Sequence, residues 1–206
     1  MSRNFSPNQI GVDQRLVDQA GFTLVELMVA VAIIMVLLLI AVPSFGDLID
    51  RARVRGAAGA AISVLSEARG GAVQRNRDVV VDFKGTGATW CLGAKSAGEP
   101  ATAGTLVDAT LDVACDCSTD ATQCKVGNQQ LSVLSTDYNG VTLSAPPATD
   151  FNFDGRFGYV QSLNANTATF TSPKGKYTIQ LNVAPLGQSS MCIPATAPAI
   201  PGISSC

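Results

Sequence analysis

The organisation of this chain is decided by the stretch Gly21-Phe22-Thr23-Leu24-Val25-Glu26. The residues that follow, 27–42, contain no charged side chain, so Glu26 is the single charge in a long apolar segment. As a helix, residues 22–42 are about 30 Å long, enough to cross the hydrocarbon core of a bilayer. Because an isolated carboxylate at that depth costs about 2.5–3.5 kcal/mol, we expect Glu26 to have a partner and a function.

The residues on either side of the apolar segment are unusual for an ordinary signal peptide. Residues 1–20 are polar with mixed charge, and no small-residue cleavage site follows the apolar run. A secretory signal peptide is cut after its apolar region, whereas this pattern places the cut before it, leaving Phe22 as the new N-terminus. The alternative is an uncleaved single-span anchor whose Glu26 contacts some other protein.

This N-terminal pattern resembles the class III signal of the type IV prepilin family, with G-F-T-L-V-E followed by an apolar stretch and then Pro43 and Phe45. The resemblance implies cleavage between Gly21 and Phe22 by a prepilin peptidase, followed by N-methylation of Phe22. It also implies that Glu26 pairs with the N-terminal amine of a neighbouring subunit during fibre assembly. The chain would then be a single-pass protein of the bacterial inner membrane with a periplasmic head, later extracted into an extracellular pilus.

The sequence predicts four segments. Residues 1–21 form a prepilin leader peptide, and residues 22–45 form the hydrophobic helix that serves as membrane anchor and fibre core. Residues 46–77 form an amphipathic helix, and residues 78–206 form a β-rich periplasmic or extracellular head.

Two features describe the helical part more closely. Pro43 and Gly46 predict a kink or a melted turn where the apolar helix ends. Beyond them, apolar residues recur at three- and four-residue spacing, which predicts a stripe that packs on a sheet and a helix that ends near Asn76. The members of the stripe are Leu48, Ile49, Ala52, Ala58, Ile62, Leu65, Ala68 and Ala72.

From Asp78 onward the apolar period changes to two, which is typical of strands. The first hairpin is predicted at residues 79–83 and 88–92, and residues 94–105 are predicted to form an exposed loop. Further predicted strands are residues 130–134, 140–143, 150–153, 167–171 and 176–183. The fold class is therefore α+β, with a long N-terminal helix packed on a small antiparallel β-sheet or sandwich, as in the type IV pilin fold.

The cysteine content favours disulfides in an oxidising compartment, since the number is even and all lie in the head. The sequence leaves the pairing open, but it favours a C-terminal clip between Cys192 and Cys206. Bridges from the loop around residues 115–124 to the strand of Cys91 would complete the set. A metal site is the alternative, but the chain has no histidine to complete a tetrahedral set. The cysteines are Cys91, Cys115, Cys117, Cys124, Cys192 and Cys206.

The sequence predicts no enzyme, no catalytic residue and no cofactor. Without histidine there is no Ser-His-Asp or Cys-His arrangement, and no phosphate-binding glycine loop is present. Asp150, Asn152 and Asp154 resemble the opening of an EF-hand calcium loop, although its twelfth position is Gln161 in place of glutamate. A half-buried strand with inward phenylalanines gives the same alternation, so we expect a strand and keep calcium as the alternative.

Within the prepilin-like proteins, the head resembles the GspH/FimT group, which includes FimT/FimU-like minor pilins and pseudopilins. The resemblance implies a minor type IV pilin in a priming or tip complex, with other major and minor pilins as partners. The alternative is a minor pseudopilin of type II secretion. The resemblance to the GspH/FimT group is carried by Ser66-Glu67-Ala68-Arg69, Ala72-Val73-Gln74-Arg75-Asn76 with the strand at 79–83, and Phe153-Asp154-Gly155-Arg156.

A third alternative is a DNA-receptor pilin for natural transformation. In the family, DNA capture resides in a C-terminal Gly-Arg-x-Arg motif, and the corresponding residues here, 187–192, contain no arginine. Lys174 and Lys176 are the nearby substitutes, in a head that lacks the strongly basic charge expected of a phosphate-backbone binder. DNA binding is therefore a possible activity that the sequence does not favour.

Overall fold

The computed structural model describes residues 21–97, 115–147, 150–160 and 166–206, with the backbone alone for residues 40–44. Of the predicted leader, only Gly21 lies among the described residues, and the predicted loop at 94–105 lies largely outside them. The chain divides into two compact units, Met1–Pro43 and Ser44–Cys206. The second unit contains the hydrophobic core.

A single helix, α1, spans Leu24–Arg75 without interruption. The melted turn predicted at Pro43 and Gly46 is therefore wrong, while a kink at Pro43 stays a prediction. A proline removes one backbone hydrogen bond and a glycine costs about 1 kcal/mol. Adding residues to an existing helix is cooperative, so strong helix-forming neighbours carry the helix through both positions.

Judged by length and hydropathy, none of the helices in the described part of the chain qualifies as a membrane span. The membrane-crossing role of residues 22–42 remains a prediction from the sequence.

The C-terminal end of α1 is set by Asn76, in agreement with the predicted helix end. Asn76 has a left-handed backbone, with φ of 51°. Its N–H donates to Val73 O at 3.3 Å, and the N–H of Arg77 donates to Ala72 O at 3.1 Å. This pair of bonds is a Schellman motif, which satisfies the last carbonyl groups of the helix and turns the chain toward the first strand.

The apolar part of the α1 face that packs on the head begins later than the sequence predicts, although the side chain of Asp50 is already buried. Leu48 is 64 % exposed and Ile49 45 % exposed, so the first part of the predicted stripe is wrong. From Val54 onward the buried residues recur at helical spacing and are mostly alanine, which lets the sheet approach the helix backbone closely. The buried set on α1 is Val54, Ala57, Ala58, Ala61, Val64, Leu65, Ala68 and Ala72.

The head contains two four-stranded antiparallel sheets. The first has the order β5-β2-β1-β7 and the second the order β10-β9-β8-β6, while β3 and β4 form a small separate hairpin. The α+β class with an antiparallel head is therefore confirmed. The strands are β1 Val79–Thr86, β2 Thr89–Ser96, β3 Lys125–Val126, β4 Gln129–Gln130, β5 Ser132–Leu134, β6 Thr142–Ser144, β7 Phe151–Phe153, β8 Asn166–Thr171, β9 Thr178–Val183 and β10 Ser189–Cys192.

The core lies between α1 and the inner faces of the two sheets. Leu65 of the helix, Leu92 of β2 and Phe170 of β8 are all fully buried in one cluster. The ring of Trp90 meets that of Phe170 edge to face at 5.2 Å between centroids, which joins the two sheets. The indole N–H of Trp90 donates to Val141 O at 2.8 Å, so its polar atom is satisfied inside the core.

The outer face of β2 carries a second, sulfur-rich cluster. Cys91 is bonded to Cys117, and Cys115 is bonded to Cys124. Gly93 lies beneath them, where a Cβ atom would collide with the sulfurs of both Cys115 and Cys124. One bridge therefore ties the loop to the strand of Cys91, as the sequence favours, and the other closes the loop on itself. The third bridge joins Cys192 to Cys206, the favoured C-terminal clip.

Candidate assembly and interaction sites

The predicted processing site lies immediately before the first turn of α1. Gly21, Phe22 and Thr23 are exposed and non-helical. A Cβ atom built on Gly21 would meet no atom of the described residues within 4 Å, so packing against them does not require a glycine at this position. Phe22 is 84 % exposed. Processing at the Gly21–Phe22 bond stays a prediction from the sequence.

Glu26 lies in the first turn of α1, and Thr23 caps that turn. The N–H of Glu26 donates to Thr23 Oγ1 at 3.2 Å, and the N–H of Leu27 donates to Thr23 O at 3.2 Å. The spacing T-x-x-E is that of a capping box, and a carboxylate there is also stabilised by the positive end of the helix dipole. Glu26 is exposed, so the same carboxylate is accessible to a cation from another molecule.

Two aspartates of α1, one turn apart, hold the β8–β9 turn against the helix. Asp50 is 3 % exposed and accepts hydrogen bonds from Ser172 Oγ at 2.7 Å and from the N–H of Lys174 at 3.2 Å. Asp47 accepts a bond from Lys176 Nζ at 2.6 Å. The hydrogen bond from Lys176 holds the pKa of the Asp47 carboxyl below its ordinary value and raises the pKa of Lys176.

The two lysines predicted as substitute DNA contacts therefore take part in the fold. Lys176 is paired with Asp47, and its Nζ lies 5.4 Å from the centroid of the Tyr177 ring. Cζ of Arg51 lies 4.9 Å from the centroid of the same ring. Lys174 uses its backbone N–H to bind Asp50. A cation that is already paired attracts a phosphate less strongly, so the pairing of Lys176 with Asp47 reduces the support for a DNA site at this residue.

The residues predicted to correspond to the family's DNA-binding motif, 187–192, form a turn and a strand in this chain. Gly187, with φ of 78°, closes the turn between β9 and β10, and a Cβ there would collide with Gly158 O. The residues after it form β10, which pairs with β9 from Ser189 to Cys192. No strand was predicted from the sequence at these residues.

The proposed calcium ligands lie on a half-buried strand. Phe151 and Phe153 are buried and Asn152 between them is half-buried, which confirms the strand interpretation. The carboxylate of Asp154 accepts the N–H groups of Arg156 and Phe157 at 3.0 and 2.8 Å. Asp150 is exposed, and Gln161 lies outside the described residues. No group of three or more His, Cys, Asp or Glu residues in the described ranges could hold a metal ion, while the calcium alternative, which also involves Asn152 and Gln161, stays untested.

Two family profiles match this chain. The prokaryotic N-terminal methylation motif matches residues 17–42, and the type II transport protein GspH family matches residues 57–187, which is more than half of the chain. The chain belongs to the GspH family. No curated protein and no solved structure matches this GspH-family chain.

Membership of the GspH family confirms the resemblance to GspH/FimT-type prepilin-like proteins. Such proteins are structural subunits of the pilin and pseudopilin type, which are not enzymes. The methylation-motif match includes Gly21, Phe22 and Glu26, and the GspH match extends from α1 to the turn after β9. The family leads us to expect an inner-membrane anchor, processing by a prepilin peptidase and association with other pilins or pseudopilins.

Arginines on α1 fasten distant turns of the GspH-type head, a role that the sequence analysis missed. Arg69 Nε donates to Gly158 O at 2.9 Å, and Arg55 Nη1 donates to Pro201 O at 3.1 Å. Gly158 and Gly202, one in each turn, have φ of 66° and 83°. In the sequence, these arginines are only members of a series along the helix. The turns that they bind lie about 90 to 150 residues further along the chain. No local sequence pattern could therefore have predicted these hydrogen bonds.

Proposed function

We propose that this chain is a minor pilin of a type IV pilus, a structural subunit that contributes to a priming or tip complex. It is cleaved between Gly21 and Phe22 by a prepilin peptidase, methylated on Phe22, and incorporated through Glu26. The observation that carries this proposal is the presence in one chain of the methylation motif and of an α+β head of the GspH family.

The geometry of the N-terminal turn supports the assembly role of Glu26. Cleavage before Phe22 creates an amino group directly before the N-terminus of α1, where the helix dipole disfavours positive charge. A carboxylate supplied by a neighbouring subunit would offset that cost, and an apolar environment would make the pairing stronger. Because each subunit carries one amine and one Glu26, pairing between neighbours fixes the axial offset from one subunit to the next.

The apolar surface of α1 supports the same proposal. Large apolar side chains from Phe22 to Leu39 are exposed, among them Leu27 at 62 % and Leu37 at 60 %. A surface of this extent needs a cover, which would be lipid before assembly and the helices of other subunits in the fibre. The partners of this segment are therefore the inner membrane and then other major and minor pilins.

The second candidate function is a minor pseudopilin of type II secretion, which the description of the matched family favours. Processing and Glu26 pairing would be the same in both assemblies, so the chemistry of the N-terminus does not separate them. A DNA-receptor role has less support, because Lys176 is paired and residues 187–192 contain no arginine.

Deletion of the gene in its host separates the candidates. We expect loss of surface pili, measured by shearing and immunoblotting for the major pilin, with recovery on return of the intact gene. Return of Glu26→Ala should not restore pili, whereas return of Glu67→Ala, which changes the other glutamate of α1, should restore them.

Normal piliation with lost secretion of type II substrates would replace the pilus proposal with the pseudopilin. Normal piliation and secretion with lower transformation frequency would favour the DNA receptor.

A further inference from the structure

An apolar protrusion stands in solvent at the turns that follow β7 and β9. Phe157 is 74 % exposed and Tyr159 42 % exposed, and their rings stack with centroids 6.4 Å apart. Leu186 on the neighbouring turn is 71 % exposed. The two turns are joined, since the N–H of Val160 donates to Pro185 O at 2.8 Å. We call Phe157, Tyr159 and Leu186 the apolar knob.

The turn that carries the knob is held rigidly. The carboxylate of Asp154 accepts the N–H groups of Arg156 and Phe157, and the N–H of Gly158 donates to Asp154 O at 2.8 Å. Arg69 binds the same turn from α1, with Nε 2.9 Å from Gly158 O. A preorganised loop loses little conformational freedom on binding, and exposed aromatic side chains of this kind dominate the energy of protein interfaces.

A pocket of about 430 Å³ opens on the other side of the head, beside the Cys91–Cys117 disulfide. Its lining is mostly apolar, and its volume is within the range of about 300–1,000 Å³ that is typical of binding pockets. It is large enough to receive an aromatic side chain. We call it the disulfide pocket; among its lining residues are Trp90, Cys91, Cys117, Thr119, Leu134 and Thr136.

The knob and the pocket carry opposite charge at their margins. Arg156 is exposed and makes no ion pair with any residue that the structure describes. Beside the pocket, hydrogen bonds from the hydroxyls of Ser118 and Thr119 lower the pKa of Asp116 to about 2, so it is ionised at physiological pH. Lys84 also lines the pocket. Its Nζ lies 2.5 Å from Oδ2 of Asp82, and this ion pair offsets the positive charge of the lysine.

The knob and the pocket lie toward opposite ends of β1. Val79 pairs with Phe153, just before the knob, whereas Lys84 and Gly85 near the other end of the strand line the pocket. Strand geometry separates these ends by about 20 Å. A single copy therefore cannot place its knob in its own pocket.

We propose that the apolar knob of one copy of this chain inserts into the disulfide pocket of a second copy, with Arg156 facing Asp116. The contact joins two different surfaces, so in a dimer one copy keeps a free knob and the other keeps a free pocket. This inference rests on the proposed function in one respect. Two copies held in one fibre would meet at a higher effective concentration, which favours a contact of small area. The contact itself can be measured without a fibre.

The test is site-specific photo-cross-linking of the full-length chain in detergent micelles. The donor copy carries benzoylphenylalanine in place of Phe157, and the acceptor copy carries a different tag and no probe. Irradiation should give a mixed dimer whose cross-linked peptides include residues 117–121 or 134–136. The same probe in place of Thr196, on another exposed turn, is the control for contacts that the micelle alone produces and should give little dimer.

Variants on one side at a time sharpen the test. Thr136→Trp or Thr119→Trp fills the mouth of the pocket, so in the acceptor it should lower the dimer yield to that of the Thr196 control. In the donor the same change should have no effect, because the donor uses its knob. Arg156→Glu in the donor should lower the yield about threefold, and Arg156→Lys should retain it.

Several results would overturn the proposal. The first is a dimer yield from position 157 that is no higher than the yield from the Thr196 control. The second is cross-linking to peptides outside the pocket. The third is a tryptophan substitution that lowers the dimer yield as much in the donor as in the acceptor. In intact cells, a cross-link from position 157 to another pilin or to nucleic acid, with none to a second copy, would also overturn it. A failed piliation phenotype would refute the proposed function alone and leave a positive dimer result standing.

Discussion

The features of residues 21–26 depend on consecutive residues, whereas those of the head depend on residues that are distant along the chain. In the first region six consecutive residues supply the predicted cleavage bond, the helix cap and the carboxylate proposed for assembly, and a Cβ on Gly21 would meet none of the described residues within 4 Å. In the head, Arg69 and Gly93 have their roles only through residues distant along the chain. Under the proposed function, other molecules would recognise the N-terminus as a local pattern, whereas the head is specified by its own long-range packing.

The largest expected effect is on processing, which tests the local side of this comparison. Gly21→Val should abolish cleavage, because the change places a branched side chain at the bond to be cut. Immunoblots and intact mass should then show only the unprocessed chain. Gly59→Ala, at another glycine with no neighbour within 4 Å, should leave processing normal. A normally shortened Gly21→Val protein would show that the cleavage site is elsewhere.

The next effect tests the long-range side. Gly93→Ala should destabilise the head by about 1–3 kcal/mol, since its Cβ would collide with two sulfurs. Gly59→Ala should instead stabilise the protein by about 0.5–1 kcal/mol, because its site is open and helical. Thermal unfolding of the full chain, with titration of free thiols, measures both. Equal melting temperatures for the two variants would contradict the account of the sulfur cluster.

A smaller effect is expected for the arginine that fastens the knob turn. Arg69→Ala removes the charged donor to Gly158 O and should cost about 1–3 kcal/mol. Arg53→Ala is the matched control, because its bond to Asn139 O is 3.4 Å long and exposed, and its effect should be within about 0.5 kcal/mol. If both substitutions have the same effect, Arg69 has no special role.

The smallest effect concerns pH. The pKa of Asp47 is lowered from 3.8, chiefly by the hydrogen bond from Lys176, so this contact stabilises the fold above pH 3.8 and is lost as the pH falls through the lowered folded-state pKa. Lys176→Met should therefore lower the melting temperature at neutral pH, and its difference from the unsubstituted chain should close in acid. Lys95→Met is the control. A difference that stayed constant between about pH 6 and pH 2 would show that Asp47 is not the partner that matters.

Features that depend on neighbouring residues could be predicted from the sequence. The alternation of Phe151 and Phe153 predicted a strand, and a helix end near Asn76 was anticipated. The favoured bridge between Cys192 and Cys206 closes a short loop, with 14 residues of separation. The match of the methylation-motif profile to residues 17–42 likewise depends on consecutive residues, while cleavage itself stays a prediction.

Features that depend on competition between distant contacts could not be predicted. Pro43 suggested a break in the helix, but cooperative helix formation on both sides outweighs one lost hydrogen bond. Leu48 fitted the apolar period yet is exposed, because at this level the buried side of α1 is the one that carries Asp50, and the buried apolar residues begin only at Val54. The knob and the disulfide pocket come from segments far apart in sequence, and no periodicity in either indicates their exposure or shape.

The most direct test of the central claim is the fate of Glu26→Ala in its host, measured together with the N-terminal mass of the chain. We predict that the variant is cut normally and begins with methylated Phe22, yet is absent from sheared fibres, while Glu67→Ala is present in them. Normal incorporation of Glu26→Ala would contradict the claim that this short stretch carries assembly as well as processing.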